Sequence, residues 1–127
     1  MIVGIGIDLV HVERTGGVLT RFGDRFVDRV LAEVERGRLS GRDPARILAK
    51  YFSAKEAAGK ALGTGVFGPV GFHHIILEHR PSGRPMLRFV GPAAERAARL
   101  GARRALVSIT DEAGMAAAVV ILDSEEA

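Results

Sequence analysis

The chain has 127 residues, 47% of them hydrophobic and 26% charged, a composition that builds one globular core and excludes a disordered or fibrous chain. It has no cysteine, which removes disulfides, thiolate metal sites and thiol nucleophiles and favours a reducing compartment. The net charge of +3 arises from 18 basic residues, all Arg except Lys50, Lys55 and Lys60, and favours an anionic partner: nucleic acid, a phosphorylated small molecule or an acidic protein. Those three lysines are read as one cluster. No apolar run reaches the ~18 residues of a membrane span and no basic leader precedes an apolar stretch, so the expectation is a cytoplasmic protein of one domain, residues 1–127.

Residues 2–10 (IVGIGIDLV) are apolar at both parities, the pattern of a central strand. Period-two geometry puts Gly4, Gly6 and Asp8 on one face, where a carboxylate needs a partner and the glycines leave room for an approaching group. From Thr15 to Arg36 apolar residues recur every four positions (Val18, Phe22, Phe26, Val30, Val34), which predicts one long amphipathic helix with Arg21, Arg25 and Arg29 on its other side. The ordinary account of that stripe is a solvated helix face.

After the polar stretch 37–44 a second helix is predicted over Ala45–Leu62, opened by Pro44 and closed by Gly63. Glu56 and Lys60 follow Phe52 along its apolar side. A surface i,i+4 pair is the bland alternative, but Ala54, Ala57, Ala58 and Ala61 suggest a helix packed closely all round. The glycine-rich segment from Gly63 to Gly71 is neither a Walker A sequence nor a dinucleotide fingerprint, and its amides beside Lys60 could form a phosphate nest. A hairpin is expected over Phe72–His79 and Met86–Val90, a short helix over Pro92–Leu100, and a second hairpin over Ala105–Thr110 and Met115–Leu122. The order βααββαββ is an α+β domain.

The four histidines lack the spacing of a zinc site, and Ser108 and Thr110 form no recognisable triad with them. Asp8 and Glu56 stand out instead. Two hard carboxylates suit Mg2+ or Mn2+ with positions left for water and substrate phosphates, and Lys60 with the glycine-rich loop suits a pyrophosphate.

Gly4-Ile-Gly-Ile-Asp-Leu-Val10 followed by Arg14, and Phe52-Ser-Ala-Lys-Glu-Ala-Ala-Gly-Lys-Ala-Leu-Gly-Thr-Gly65, closely resemble the two signatures of the holo-[acyl-carrier-protein] synthase family, the short branch of the 4′-phosphopantetheinyl transferases. The likeness extends through Gly83-Arg-Pro85 to Val107-Ser-Ile-Thr110 and Ala116–Ile121, and so covers essentially the whole chain. It implies the 4′-phosphopantetheinyl transferase fold, with a mixed or antiparallel sheet packed on a long helix. It also implies Mg2+-dependent transfer of phosphopantetheine from coenzyme A to a serine of apo acyl carrier protein, releasing adenosine 3′,5′-bisphosphate in support of fatty acid biosynthesis.

On this resemblance Asp8 and Glu56 would ligate the metal (Mg2+, with Mn2+ possible), Lys60 would neutralise phosphate oxygens, and Glu56 would also accept the serine proton. Family members of this length are similar in forming homotrimers with active sites between subunits. Coenzyme A would then be held by Lys60, Gly63, Thr64 and Gly65 of one chain and by Arg84, Pro85 and Thr110 of a neighbour. Arg14, Arg21 and Arg25 would receive the acidic carrier protein.

Three positions depart from the family pattern: His11 stands where an acidic residue is usual, Asp111 where histidine is frequent, and Tyr51 where a basic residue is common, although Lys50 adjoins it. Two other readings remain, a basic nucleic-acid-binding module and a non-catalytic coenzyme A-binding homologue. The first lacks base-stacking aromatics, with six Phe and one Tyr of which several lie on core faces. The resemblance favours neither nucleic acid nor membrane as a partner.

Overall fold

The computed structural model describes residues 1–41 and 43–126. Its elements in chain order are β1 (Ile2–His11), α1 (Val12–Phe22), α2 (Asp24–Val30), a 3-10 turn (Glu33–Leu39), α3 (Pro44–Leu62), a 3-10 turn (Phe72–His74), β2 (Ile75–His79), β3 (Pro85–Phe89), α4 (Gly91–Leu100), β4 (Arg104–Glu112) and β5 (Met115–Asp123). An antiparallel sheet in the order β1-β5-β4 lies beneath α3, and β2 pairs with β3 in a separate antiparallel hairpin. The expected α+β class and the antiparallel sheet under a long helix are found, with the strands divided between two sheets.

Helix α3 forms as its sequence foretells. Asp43 accepts a hydrogen bond from Arg46 N at 3.2 Å, Pro44 opens the first turn, and Gly63 at φ 79° closes the last. Its alanines Ala54, Ala57, Ala58 and Ala61 are all buried, against β1, β5 and the short helices. The core gathers around α3 from Val30, Leu48, Leu62, Ile75, Ala118, Val120 and Leu122.

The glycines of β1 explain how close this packing is. A Cβ on Gly4 would lie 2.2 Å from Ala61 O, and one on Gly6 would lie 2.0 Å from Ala57 O and 2.7 Å from Ala61 N. The group that approaches Asp8 through the room the glycines leave is therefore the backbone of α3.

Three expectations change. The single helix from Thr15 to Arg36 is broken: Gly23, at φ 54° and ψ −130°, separates α1 from α2, and Leu31 and Ala32 are extended before the 3-10 turn. Only glycine adopts that φ and ψ readily, so the chain turns there although the apolar period continues. Strand β1 is an edge strand of its sheet and its odd-numbered side chains are open, Ile5, Ile7 and Leu9 being 65%, 67% and 63% exposed. The strand expected from Phe72 begins at Ile75, and Phe72, His73 and His74 form the 3-10 turn before it. His74 Nδ1 accepts from Gly71 N at 2.9 Å and His73 Nε2 meets Asp28 O.

Candidate active site

Asp8 points from the inner face of β1 toward α3, where Glu56 and Lys60 follow one another at one helical turn. Lys60 Nζ donates to Ile7 O at 2.9 Å and lies 3.3 Å from Asp8 Oδ1. Asp8 Oδ2 is buried without any hydrogen-bond partner. An ionised oxygen in that position is costly unless something outside the chain satisfies it. Glu56 is half-buried, and its pKa is raised first by burial and then by the negative charge of Asp8, with Lys60 opposing both.

Asp8 and Glu56 share the wall of a cavity of about 350 Å³ whose rim includes His11, Arg14, Val18, Phe26 and Phe52. Among the described residues no three Asp, Glu or His side chains converge. Two hard carboxylates, one with an orphaned oxygen and the other repelled by its neighbour, fit an Mg2+-like cation whose other positions go to water or phosphate. His11 lines this cavity and ends β1, and the departure there leaves both carboxylates in place.

A second, largely apolar groove of about 530 Å³ is lined by Val18, Phe22, Phe26, Arg25, Asp28 and Arg29, so Val18 and Phe26 belong to both. Arg14, Arg21 and Arg25 are exposed around it, and Arg21 stacks over Phe22 at 5.2 Å. The break at Gly23 leaves these arginines on two short helices along one groove instead of on one straight stripe.

Of the Gly63–Gly71 segment read as a phosphate nest, the first three amides are engaged within the fold. Gly63 N donates to Lys60 O at 3.0 Å, and Thr64 N and Gly65 N donate to Gly59 O at 3.1 Å and 3.0 Å. All three amides cap α3 and are turned away from any ligand. Thr64 is exposed, with its hydroxyl donating to Gly65 O at 2.9 Å, and nothing lies within 4 Å of a Cβ on Gly65.

The three lysines do not form a cluster. At five-residue spacing they leave α3 about 140° apart, since each residue turns the helix by about 100°. Lys60 reaches Asp8, Lys50 Nζ meets Asp111 Oδ1 at 2.8 Å, and Lys55 is enclosed in the core with Glu35. The Lys50 contact holds the Asp111 carboxyl below its ordinary range, so the residue standing where histidine is frequent is anionic and paired.

Arg84, Pro85 and Thr110 lie away from the carboxylates. Thr110 pairs with Ala117, which pairs with Leu9, and these three share the outer face of the sheet, whereas Asp8 pairs with Ala118 on the inner face. Pro85 and Gly83 border a cavity of about 290 Å³ with Arg38, Lys50, Tyr51 and His79, on another side of α3 from Glu56. Tyr51 OH and His79 Nδ1 are buried there without partners. Burial pushes the Tyr51 hydroxyl up to about 12, against Arg38 and with Glu35, while burial, Arg38 and Lys50 lower His79. Sequence reading missed this pair of unsatisfied groups, because nothing in the spacing of residues 51 and 79 brings them together.

Comparison with known proteins agrees with this geometry. The sequence model of the 4′-phosphopantetheinyl transferase superfamily matches residues 4–120. The holo-[acyl-carrier-protein] synthase of Shewanella woodyi is 46% identical over 98% of this chain and 100% of its own length. Among solved structures, the holo-[acyl-carrier-protein] synthase of Neisseria meningitidis superposes with a TM-score of 0.88 at 36% identity, covering 97% of this chain and 99% of its own. That of Helicobacter pylori in complex with coenzyme A does so at 0.82 and 28%, covering 94% and 99%. The chain belongs to the 4′-phosphopantetheinyl transferase superfamily, in its holo-[acyl-carrier-protein] synthase branch, and is an enzyme of that transferase class.

Proposed function

We propose that this enzyme transfers 4′-phosphopantetheine from coenzyme A to a serine of an apo acyl carrier protein in the cytoplasm, serving fatty acid biosynthesis. The observation that carries the reading is the unpartnered Asp8 Oδ2, set beside Glu56 and Lys60 at the end of an arginine-rimmed groove. Asp8 and Glu56 would hold Mg2+, which supplies charge withdrawal from a pyrophosphate. The Lys60 ammonium, on an exposed stem, neutralises phosphate oxygens. Glu56 accepts the serine proton, a role its raised pKa suits. The serine oxygen forms a bond to the phosphorus carrying the pantetheine arm, the pyrophosphate P–O bond breaks, and adenosine 3′,5′-bisphosphate leaves. Arg14, Arg21 and Arg25 receive an acidic carrier, whose apolar side chains enter the groove of Val18, Phe22 and Phe26.

The coenzyme A site spans two chains in this reading. Thr110 lies on the face of the sheet opposite Asp8, and Pro85 borders a different cavity from Glu56, which supports a role for both in a neighbouring subunit's site. The open apolar row Ile5, Ile7 and Leu9 is a surface that another subunit of a homotrimer covers. Unsatisfied Tyr51 and His79, with Arg38 and Lys50, then await the adenosine end, beside Thr64 and the glycine segment of the adjoining chain.

Mass spectrometry tests the reading. The protein with Mg2+ and coenzyme A is expected to add one phosphopantetheine to apo carrier protein, and Asp8→Asn or Glu56→Gln to lower the rate by roughly 100- to 1000-fold, the range for loss of a charge-stabilising group. Full activity in both variants removes the metal assignment; tight coenzyme A binding without turnover on any carrier favours the non-catalytic homologue.

A further inference from the structure

Among the described residues the largest wholly enclosed side chain is a lysine, one residue before Glu56. Lys55 is 0% exposed, and its ammonium donates to Glu35 Oε1 at 2.5 Å, Val30 O at 2.7 Å and Phe72 O at 3.0 Å, which uses all three of its donors. Glu35 is engaged as fully: Oε1 also accepts from Ala32 N at 2.8 Å, and Oε2 accepts from Leu77 N at 2.8 Å. Loss of either partner alone would strand a buried charge. An apolar pair of similar volume, by contrast, is often as stable as a buried ion pair or more so. This pair also satisfies Val30 O, Phe72 O, Ala32 N and Leu77 N, so it acts on four backbone groups and in fixed directions. These bonds tie α3 to the last residue of α2, to both 3-10 turns and to β2.

Helix α2 is the element whose place matters most to the reaction. It has only seven residues, it carries Arg25 beside the apolar groove, and its Phe26 walls both that groove and the Asp8–Glu56 cavity. Its final carbonyl, Val30 O, is held by the residue next to Glu56. Neither Lys55 nor Glu35 lines either cavity, so neither touches a substrate there.

We propose that Lys55 and Glu35 are positioning residues for the transfer, holding α2 in register with Glu56 so that a serine delivered along the α1–α2 groove arrives at that carboxylate. The inference rests on the function proposed above. Without the directional bonds, packing alone would place α2, and a displacement of about 1 Å lowers a rate by roughly tenfold to a hundredfold. Coenzyme A, bound by other residues, would be held as before.

The double variant Lys55→Met with Glu35→Leu, made in the full chain, tests this. Its melting temperature is expected to fall, because Val30 O, Phe72 O, Ala32 N and Leu77 N lose their partners, so the comparison is made below that temperature, where the variant is folded. Coenzyme A affinity by calorimetry should remain within about threefold, while kcat falls roughly tenfold to a hundredfold. Lys55→Arg, which keeps a cation and several donors, should retain more of kcat than the double variant. A folded double variant with parental kcat overturns the proposal, and so does a parallel loss of coenzyme A affinity, which would place the effect in the substrate site. If the double variant does not fold, Glu35→Gln decides by the same criterion: lower kcat at parental coenzyme A affinity supports the register, and parental kcat overturns it. An unmutated protein that binds coenzyme A but modifies no carrier overturns the functional reading and this proposal with it, an outcome distinguishable because no substitution is involved.

Discussion

Ionising Glu56 is unfavourable in this fold, because the carboxyl is partly withdrawn from water and faces Asp8, and Lys60 only partly compensates. Its pKa is thus higher in the native state than in the unfolded chain. The native state binds the proton more tightly, so stability falls as pH rises from the unfolded value of about 4.3 through the raised native one. Above that window the charge on Glu56 opposes folding unless a cation is present. Glu56→Gln is therefore expected to raise the melting temperature of the metal-free protein at pH 7, with the difference disappearing near pH 4, below both values. Mg2+ should raise the melting temperature of the parent and leave that of the variant unmoved. Scanning calorimetry with and without Mg2+ checks this; a parent insensitive to Mg2+ counts against the carboxylate pair as a cation site. Residues of this kind are legible in a sequence because they break an apolar pattern, as Asp8 does in β1. Lys55 breaks one too, but its partner Glu35 lies 20 residues away in a polar stretch, and no local period connects them.

At the scale of elements, the juncture of β1 and α3 brings the carboxylates together, and two missing side chains permit it. Gly6→Ala would press a methyl group against Ala57 O and Ala61 N, both backbone atoms that cannot rotate away. The helix must then move off the strand and carry Glu56 from Asp8. We expect a loss of about 1–3 kcal/mol of stability, as for other overpacked cores, and a fall in turnover of roughly tenfold to a hundredfold. Gly17→Ala, on α1 with nothing within 4 Å, is the matched control. Urea denaturation and a turnover assay check both; a Gly6→Ala protein of parental activity would show that the close approach is not needed. Helix α3 itself was readable to within a residue, since Pro44, Gly63 and the alanines all agree. The long first helix was not, because α1 and α2 keep their apolar residues on a common side and the four-residue period runs through the break. Gly23 followed by Asp24 was the local sign, and Val34, 72% exposed, shows where the period ceases to matter.

For the whole molecule, the outer face of the three-stranded sheet is the feature a single chain leaves unexplained. Ile5, Ile7 and Leu9 on β1 adjoin Ile121, Val119 and Ala117 on β5, and these adjoin Leu106, Ser108 and Thr110 on β4. The apolar residues at both parities of 2–10 were read as a central strand, and within one chain Ile5, Ile7 and Leu9 stay open instead. Ile7→Asp places a charge at the centre of that face and is expected to convert the proposed trimer into monomers with little change in the fold of each chain, and to lower activity by roughly 100-fold. Sedimentation velocity and circular dichroism check this; an active, monomeric variant would show that one chain contains a complete site.

The sheet that keeps Thr110 apart from Asp8 also determines how damage is inherited within the assembly. If each cleft takes its carboxylates from one subunit and its Arg84-Pro85 turn from another, a chain spoiled at Glu56 and a chain spoiled at Arg84 are inactive alone in different halves. In mixed trimers some clefts would draw both halves from the undamaged side of each chain. Two alleles that each abolish activity could thus complement one another, while two lesions on the same half could not.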